Sequence, residues 1–276
     1  MKLKYTAAWV GFTAAATVAV SACGSGGVKT AASAVDGADK IMAALSRATD
    51  RTDQLGSAKV RMSTVIGAGA PVTMNGTFSW GDGLAMDVLM DTKSAKMEAL
   101  QHSSTIRTLF VDGAYYYDVD PQASGPLKGK QWMKIDASAL FGDKGAQAFS
   151  GNSAGNPAAT LKYLKYAKDV KDFGTETVDG QRTTHYQAVV DQAQMGKFKD
   201  AYGSDGMTAM TGGGSMTMNL WLNAKDLPVR LKERIGKMTV TMDFEKFGAT
   251  APVKAPPSAQ TGDLTQVIED YRKKQG

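Results

Sequence analysis

From Met216 to Phe247 the chain reads MTMNLWLNAKDLPVRLKERIGKMTVTMDFEKF, and this stretch restricts the fold more than any other. Met216, Met218, Leu220 and Leu222 fall on one side of a period-two ribbon, with Thr217, Asn219 and Trp221 on the other, the pattern of a half-buried antiparallel strand. Asn223 to Pro228 supplies turn residues, after which Val229 and Leu231 alternate with Arg230 and Lys232. Gly236 breaks the run, and Met238, Val240, Met242 and Phe244 then oppose Thr239, Thr241 and Asp243. One face of this meander is a surface of long, flexible apolar side chains, which must be covered by helices or by something that is not protein.

The rest of the chain repeats the theme. Asp36 to Leu55 has helical spacing, with Ile41, Leu45 and Ala48 on one side, Asp36 as cap and Gly56 at the stop. Strands are predicted over Ala58–Ile66, Val72–Trp80 and Leu84–Met90, and a weaker one over Lys96–His102. Asp112-Gly113 joins Ile106–Val111 to Ala114–Val119 as a hairpin, because Asp-Gly favours the primed turns that match strand twist. Trp132–Ile135 is another strand, and Ala137–Phe149 a short helix. Asn156 and Pro157 open a helix with Leu161, Leu164, Ala167 and Val170 on its apolar side. Strands at Thr175–Val178 and Arg182–Val190 flank Asp179-Gly180. Asp191–Tyr202 reads as helix, and Gly203–Gly214 as a Gly- and Met-rich loop beside it, a candidate lid. Residues 249–276 form a Pro-containing tail ending in a helix from Asp263 that docks on the sheet edge or frays. Eleven or twelve strands joined by short turns must be antiparallel neighbours. The expected class is α+β: one large, curved antiparallel sheet, a half-open barrel of about eleven strands, with helices on its concave side.

The N-terminus places the protein outside the cytoplasm. Lys2 and Lys4 precede an uncharged run from Ala7 to Val20, too short to span a bilayer and suited to a signal-peptide core. Val20, Ser21, Ala22 and Cys23 resemble the lipobox of bacterial lipoproteins, which implies cleavage after residue 22 and a diacylglyceryl anchor on Cys23. The alternative is an unlipidated secretory peptide with an incidental Cys. Residues 23–35 are expected to be a flexible tether reaching on the order of 20 Å, and residues 36–248 the folded domain. Cys23 is the only cysteine, so no intramolecular disulfide forms and the domain must rest on its core. The net charge of +5 comes from scattered Lys and Arg, with no run that resembles a nucleic-acid arm.

Catalytic signals are weak. Gly151-Asn152-Ser153-Ala154-Gly155 matches G-x-S-x-G, and Asp169 or Asp172 followed by His185 gives a hydrolase order, but no buried strand precedes Ser153 as a nucleophile elbow requires. A serine-reactive fluorophosphonate probe is therefore expected not to label it. His102 and His185, each placed in a strand, lie far apart in sequence and make no zinc spacing. Asp87 with Asp91, or Asp118 with Asp120, reads more readily as hairpin-end carboxylates than as an acid–base pair. No phosphate-binding glycine loop is present. No cofactor or metal is expected, and the chain does not read as an enzyme.

Methionine is the unusual component, 15 in all. Met62, Met74, Met86, Met90, Met216, Met218, Met238 and Met242, with Phe78, Val88, Leu220 and Val240, share the apolar side of the predicted strands. Unbranched thioethers adapt to irregular apolar partners, so this face suits a pocket for acyl chains; an ordinary, loosely specified core would look the same.

The segments VDGQRTTHYQAVVD (Val178–Asp191), LWLNAKDLPVRL (Leu220–Leu231) and MTVTMDFEKFG (Met238–Gly248) resemble the closing strands of the LppX and LprG lipoproteins of actinobacteria. That resemblance implies a fold similar to the periplasmic carriers LolA and LolB, with a hydrophobic cavity between sheet and helices that receives acylated glycolipids or other lipids. Cys23 carries over residue by residue, and the cavity lining only as a face. The implied function is a monomeric, membrane-anchored, extracytoplasmic lipoprotein that binds and transfers a lipid. The rival is a non-transporting envelope sensor or scaffold that binds a partner through the same sheet.

Overall fold

The structure, a computed structural model, describes residues 25–150, 157, 160–161, 164, 167, 169–191, 215–248 and 250–275. Residues 1–37 and 38–276 are separate units, and of the first only the helical backbone from Ser25 is described. Helix α1 (Ser25–Leu55) leads into β1 (Ser57–Ile66), β2 (Val72–Ser79), β3 (Ala85–Asp91), β4 (Thr105–Val111), β5 (Ala114–Asp118) and β6 (Trp132–Asp136). After α2 (Ala137–Ser150) come β7 (Asp169–Val178), β8 (Gln181–Val190), β9 (Met216–Asn223), β10 (Pro228–Ile235) and β11 (Met238–Phe247), then β12 (Thr261–Asp263) and α3 (Thr265–Gln275).

All twelve strands form one unclosed sheet in the order β12-β6-β5-β4-β3-β2-β1-β11-β10-β9-β8-β7. It consists of two meanders, β1–β6 and β7–β11, fused where β1 pairs antiparallel with β11 from Ala58↔Phe247 to Ile66↔Met238. This is the curved, half-open α+β architecture expected from the alternation. The primed turns also form: Asp112 and Gly113 have φ of 52° and 74°, and Asp179 and Gly180 of 48° and 75°.

Among the described residues three hydrophobic clusters hold the sheet, the smallest made by Leu109, Val111, Ala114, Tyr116 and Trp132 of β4–β6 with Val253. In the first, Leu45 and Ala48 of α1 meet Ala58, Val60, Phe78, Trp80, Met218, Leu220 and Leu231. The indole N–H of Trp80 donates to the Thr52 carbonyl at 3.0 Å, and the backbone N–H groups of Trp80 and Gly81 donate to the Gly56 carbonyl, so the end of α1 is pinned to β2. In the second, Met90, Ile106, Tyr117, Met133 and Ile135 pack with Ala139 and Leu140 of α2 and with Ile268 of α3.

Several expectations need correction. Helix α1 begins at Ser25, so the stretch to Val35 expected as a flexible tether is helical; it is rich in Ala and free of Pro, which favours helix. Lys96–His102 is not a strand. Asp91 Oδ1 accepts from the Ser94 N–H at 2.6 Å and the Met97 N–H donates to the Thr92 carbonyl, winding the chain into turns with Lys96 at φ 58°. His102 thus lies in a connection, not a strand. Val170 belongs to β7, opposite Ala188, and not to the helix before it, of which Pro157, Thr160 and Leu161 are described as helical. The tail is more structured than expected. Thr261–Asp263 adds to β6 as a parallel strand, and α3, capped by Asp263 Oδ1, docks through the Asp136 N–H donating to Thr265 Oγ1 at 3.1 Å and through Ile268. The helix and loop expected over Asp191–Gly214 lie, apart from Asp191 itself, outside the described residues.

Candidate functional site

Strand register decides which side chains share a face. Met62 stands opposite Met74 on β2 and Met242 on β11, Met74 opposite Met90, Phe78 opposite Met86, and Gly76 opposite Val88. On the other meander, Leu231 is opposite both Met242 and Leu220, while Ile235 is opposite Met238 and Met216. All twelve cavity-face candidates, Met62, Met74, Phe78, Met86, Val88, Met90, Met216, Met218, Leu220, Met238, Val240 and Met242, therefore sit on one face.

They are not equally covered. Phe78, Val88, Met216, Met218 and Leu220 are at most 2 % exposed, and Met86, Met90 and Met242 are also buried, so these eight are core. Met62, Met74, Met238 and Val240 are half-buried. With Thr64 and Val72, also half-buried, and Ile66, 44 % exposed, they make an apolar patch across β11, β1 and β2 at the ends of two hairpins. The expected face is thus filled over β8–β10 and partly open over β11–β2.

The reading from sequence missed one polar member of this face. Glu233 lies between Leu231 and Ile235 on β10, opposite Met218 on β9 and Val240 on β11. Its Oε1 is sealed from solvent without a hydrogen-bond partner among the described residues, while the Thr160 side chain hydrogen-bonds the carboxyl. Burial raises the acid from an ordinary 4.5 to about 7, and the Thr160 bond pulls weakly the other way. Period two alone signals this position, since Glu233 keeps phase with Leu231 and Ile235. Farther along the sheet, Tyr115 and Tyr117 stack at 6.2 Å, and burial pushes the Tyr117 phenol up to about 12.

The opposite face carries ion pairs, but over β4–β6 Leu109, Tyr116 and Trp132 form a buried apolar cluster with Val253. Arg107 forks onto Asp87 at 2.9 and 2.7 Å, Arg230 bonds Asp243, and Arg61 reaches Glu245 at 3.1 Å. A hollow of about 440 Å³ on β11–β4 is lined mainly by side chains of this outer face, among them Arg61, Asn75, Leu89 and Asp243. Another of about 620 Å³ lies at the other end of the strands, among Gly56, Gly81, Gly83, Val111 and Val253. The first includes Met62 and Met74 of the apolar patch in its lining, and the second none of it.

The other chemical candidates do not assemble into a reactive group. Asp87 is held by Arg107, Asp91 caps the turn at Ser94, and Asp120 bonds the His102 ring Nδ1 and accepts from the His102 backbone N–H at 2.9 Å; these bonds hold the last two carboxyls below their usual range. Asp118 lends its backbone carbonyl to Gln101. His185 stacks on Trp221 and Phe173, with Nδ1 3.1 Å from Glu176 and Nε2 3.0 Å from Asn219, on the outer face. Ser153 and Cys23 lie outside the described residues. Among the described residues no group of three or more His, Cys, Asp or Glu could hold a metal, and no helix is long and apolar enough to cross a membrane.

No family model matches the chain. It is 26 % identical over 235 residues, 82 % of its length and 75 % of the relative's, to a Streptomyces coelicolor protein whose name marks it as a candidate lipoprotein. It is 26 % identical over 251 residues, 83 % of its length and 80 % of the relative's, to an uncharacterized 31.2 kDa protein of Streptomyces griseus. Among solved structures it superposes on the lipoprotein LppX of Mycobacterium tuberculosis with a TM-score of 0.51 at 14 % identity, covering 78 % of this chain and 99 % of that one. For LprF of Mycobacterium bovis the TM-score is 0.51 at 12 % identity, covering 80 % and 98 %. The fold is that of LppX and LprF, as the closing strands had indicated.

Proposed function

We propose that this chain, built on the fold of LppX and LprF, is a lipoprotein anchored through Cys23 at the extracytoplasmic side of the membrane, which binds a lipid or acylated glycolipid and passes it on within the envelope. The observation that carries the reading is the half-buried apolar patch of Met62, Met74, Met238, Val240, Val72 and Ile66 on the inner face of three adjacent strands. Elsewhere that same face is closed by α1, α2 and the buried Leu161 and Leu164. An apolar surface left accessible inside an otherwise packed concavity favours an apolar occupant. Each methylene buried there contributes about 0.8 kcal/mol, so an acyl chain is held without directional contacts. Release to an acceptor then exchanges one apolar environment for another, with little net change in burial. No step of this function breaks a covalent bond, so the reading assigns no catalysis and one molecule of chain handles one ligand.

Native mass spectrometry of the chain purified from its own or another lipid-rich host tests the reading. A stoichiometric, solvent-extractable adduct of lipid mass is expected. A mass accounted for by the polypeptide and its anchor alone, from several such hosts, would refute it.

A further inference from the structure

We propose that Glu233 is the polar anchor of the apolar face, taking the hydroxyl of a neutral, acyl-bearing amphiphile whose chains lie along Val240, Met238, Met62 and Met74. The proposal rests on the lipid-binding reading above and specifies what kind of lipid the face accepts.

The first argument is position. Across the sheet one register row runs Ala188, Met218, Glu233, Val240, Thr64, Val72. Ala188 and Met218 are fully buried, whereas Val240, Thr64 and Val72 are half-buried. Glu233 stands where the closed part of the face gives way to the open part. The residue as a whole is partly accessible, but its Oε1 is not. Val240 and Thr64 lie one and two strands away, about 5 and 10 Å at ordinary strand spacing. A chain laid on the patch ends against the Glu233 side chain, and rotation of that partly accessible side chain toward the patch is what brings the sealed oxygen within reach of the ligand's hydroxyl.

The second argument is the unmet bond. Leu231, Ile235, Met218 and Val240 surround the carboxyl with apolar groups, and Thr160 satisfies it only in part. A buried acceptor without a partner costs stability, and a Leu or Met at this position would complete the core without that cost. The carboxyl makes physical sense if an incoming group completes its bonding.

The third argument selects the group. Burial brings the acid close to neutrality in pH, so both protonation states are met under ordinary conditions. A hydroxyl donates to the carboxylate and accepts from the acid, and so fits both states. An ammonium can only donate, and it would bring a second charge into an apolar site. A phosphate would repel the carboxylate.

The test uses the full chain, delipidated and immobilised, with two tritiated probes supplied in phosphatidylcholine vesicles: 1,2-dioleoylglycerol, which has one free hydroxyl, and its 3-acetyl ester, which has none. The wild type should retain the alcohol about tenfold more tightly than the ester, the worth of one buried hydrogen bond. Glu233→Leu should abolish that preference while still binding the ester, which also shows that the variant is folded. Glu233→Gln, which keeps a donor and an acceptor, should keep most of the preference. Equal binding of the two probes by the wild type, or a preference that survives in Glu233→Leu, would overturn the anchor while leaving lipid binding intact. Binding of neither probe by the wild type would overturn the lipid reading and the anchor with it.

Discussion

Glu233 makes the stability of the lipid-free protein depend on pH in a direction and by an amount that follow from its burial. The carboxyl titrates at about 7 in the folded chain against 4.5 when unperturbed, with desolvation as the leading cause. The folded state therefore binds a proton more tightly than the unfolded state. Below about pH 4.5 both states are protonated and nothing is lost. As pH rises toward 7 the unfolded chain releases its proton freely while the folded chain keeps it, and stability falls along the way. Above 7 the loss is complete. Stability falls by about 1.4 kcal/mol for every pH unit between those two values, so the loss amounts to about 3 kcal/mol between pH 4 and pH 8. Its neighbours on the strands either side, Met218 and Val240, and Thr160 against it carry no charge to offset this. Glu233→Gln preserves volume and removes the proton. Urea unfolding of wild type and variant at both pH values isolates the contribution, because every other titrating group cancels in the double difference. The variant should gain about 3 kcal/mol relative to wild type on going from pH 4 to pH 8. A gap that stays constant with pH would show that the carboxyl is solvated in the folded protein and refute the burial argument.

Other substitutions probe separate parts of the structure. A Cβ on Gly76 would lie 2.1 Å from the Asp87 carbonyl oxygen and 2.7 Å from Val88 Cα, so Gly76→Ala should cost upwards of about 2 kcal/mol by urea unfolding, and a neutral result would mean that β2 and β3 are farther apart than described. Asp87→Asn breaks a well-formed but half-exposed pair with Arg107 and should cost less than about 1 kcal/mol by the same assay; a larger loss would contradict the screening of this face. Met74→Gln with Met238→Gln, at half-buried sites, should weaken lipid retention severalfold in the vesicle assay while changing stability by no more than about 2 kcal/mol, and undiminished retention would move the ligand off this patch. Cys23→Ser should release the chain from membranes into the soluble fraction after osmotic shock or culture filtration, and continued membrane retention would exclude the acyl anchor.

The parts of the fold that were legible are those in which local chemistry and tertiary pairing agree. Met216–Leu222 alternates cleanly because one face meets the core and the other is partly exposed, Met242 and Phe244 do the same on β11, and Asp112-Gly113 and Asp179-Gly180 set their own hairpins. The misread parts are those in which a partner distant in sequence decides. Met97 and Leu100 look like members of a strand, but both reach the second core from a turn that Asp91 organises through Ser94. β12 has only Thr261, Gly262 and Asp263, with no apolar period to announce it. Its place is set by contact: a Cβ on Gly262 would lie 2.7 Å from the Pro126 carbonyl oxygen and 2.9 Å from a Leu127 methyl, so the strand fits against the loop before β6 because the residue is Gly. The first half of β7 is polar, and Val170 joins the sheet because Ala188 is there to pair with it.

The same limit governs the site. Period two assigns twelve side chains to one face and cannot tell which will be sealed, since sealing depends on Leu45, Leu161 and Leu164 from elsewhere in the chain. Methionine content does not separate the two outcomes either, for Met216 and Met218 are fully buried while Met62 and Met238 are not. What separates them is place along the strands: the half-buried set clusters at the ends of the β1–β2 and β10–β11 hairpins, and the sealed set lies beneath the helices or across β8–β10. A uniform core would have no such boundary, and it would not carry an incompletely bonded carboxyl there. Glu233, turned inward by its phase with Leu231 and Ile235, marks that boundary.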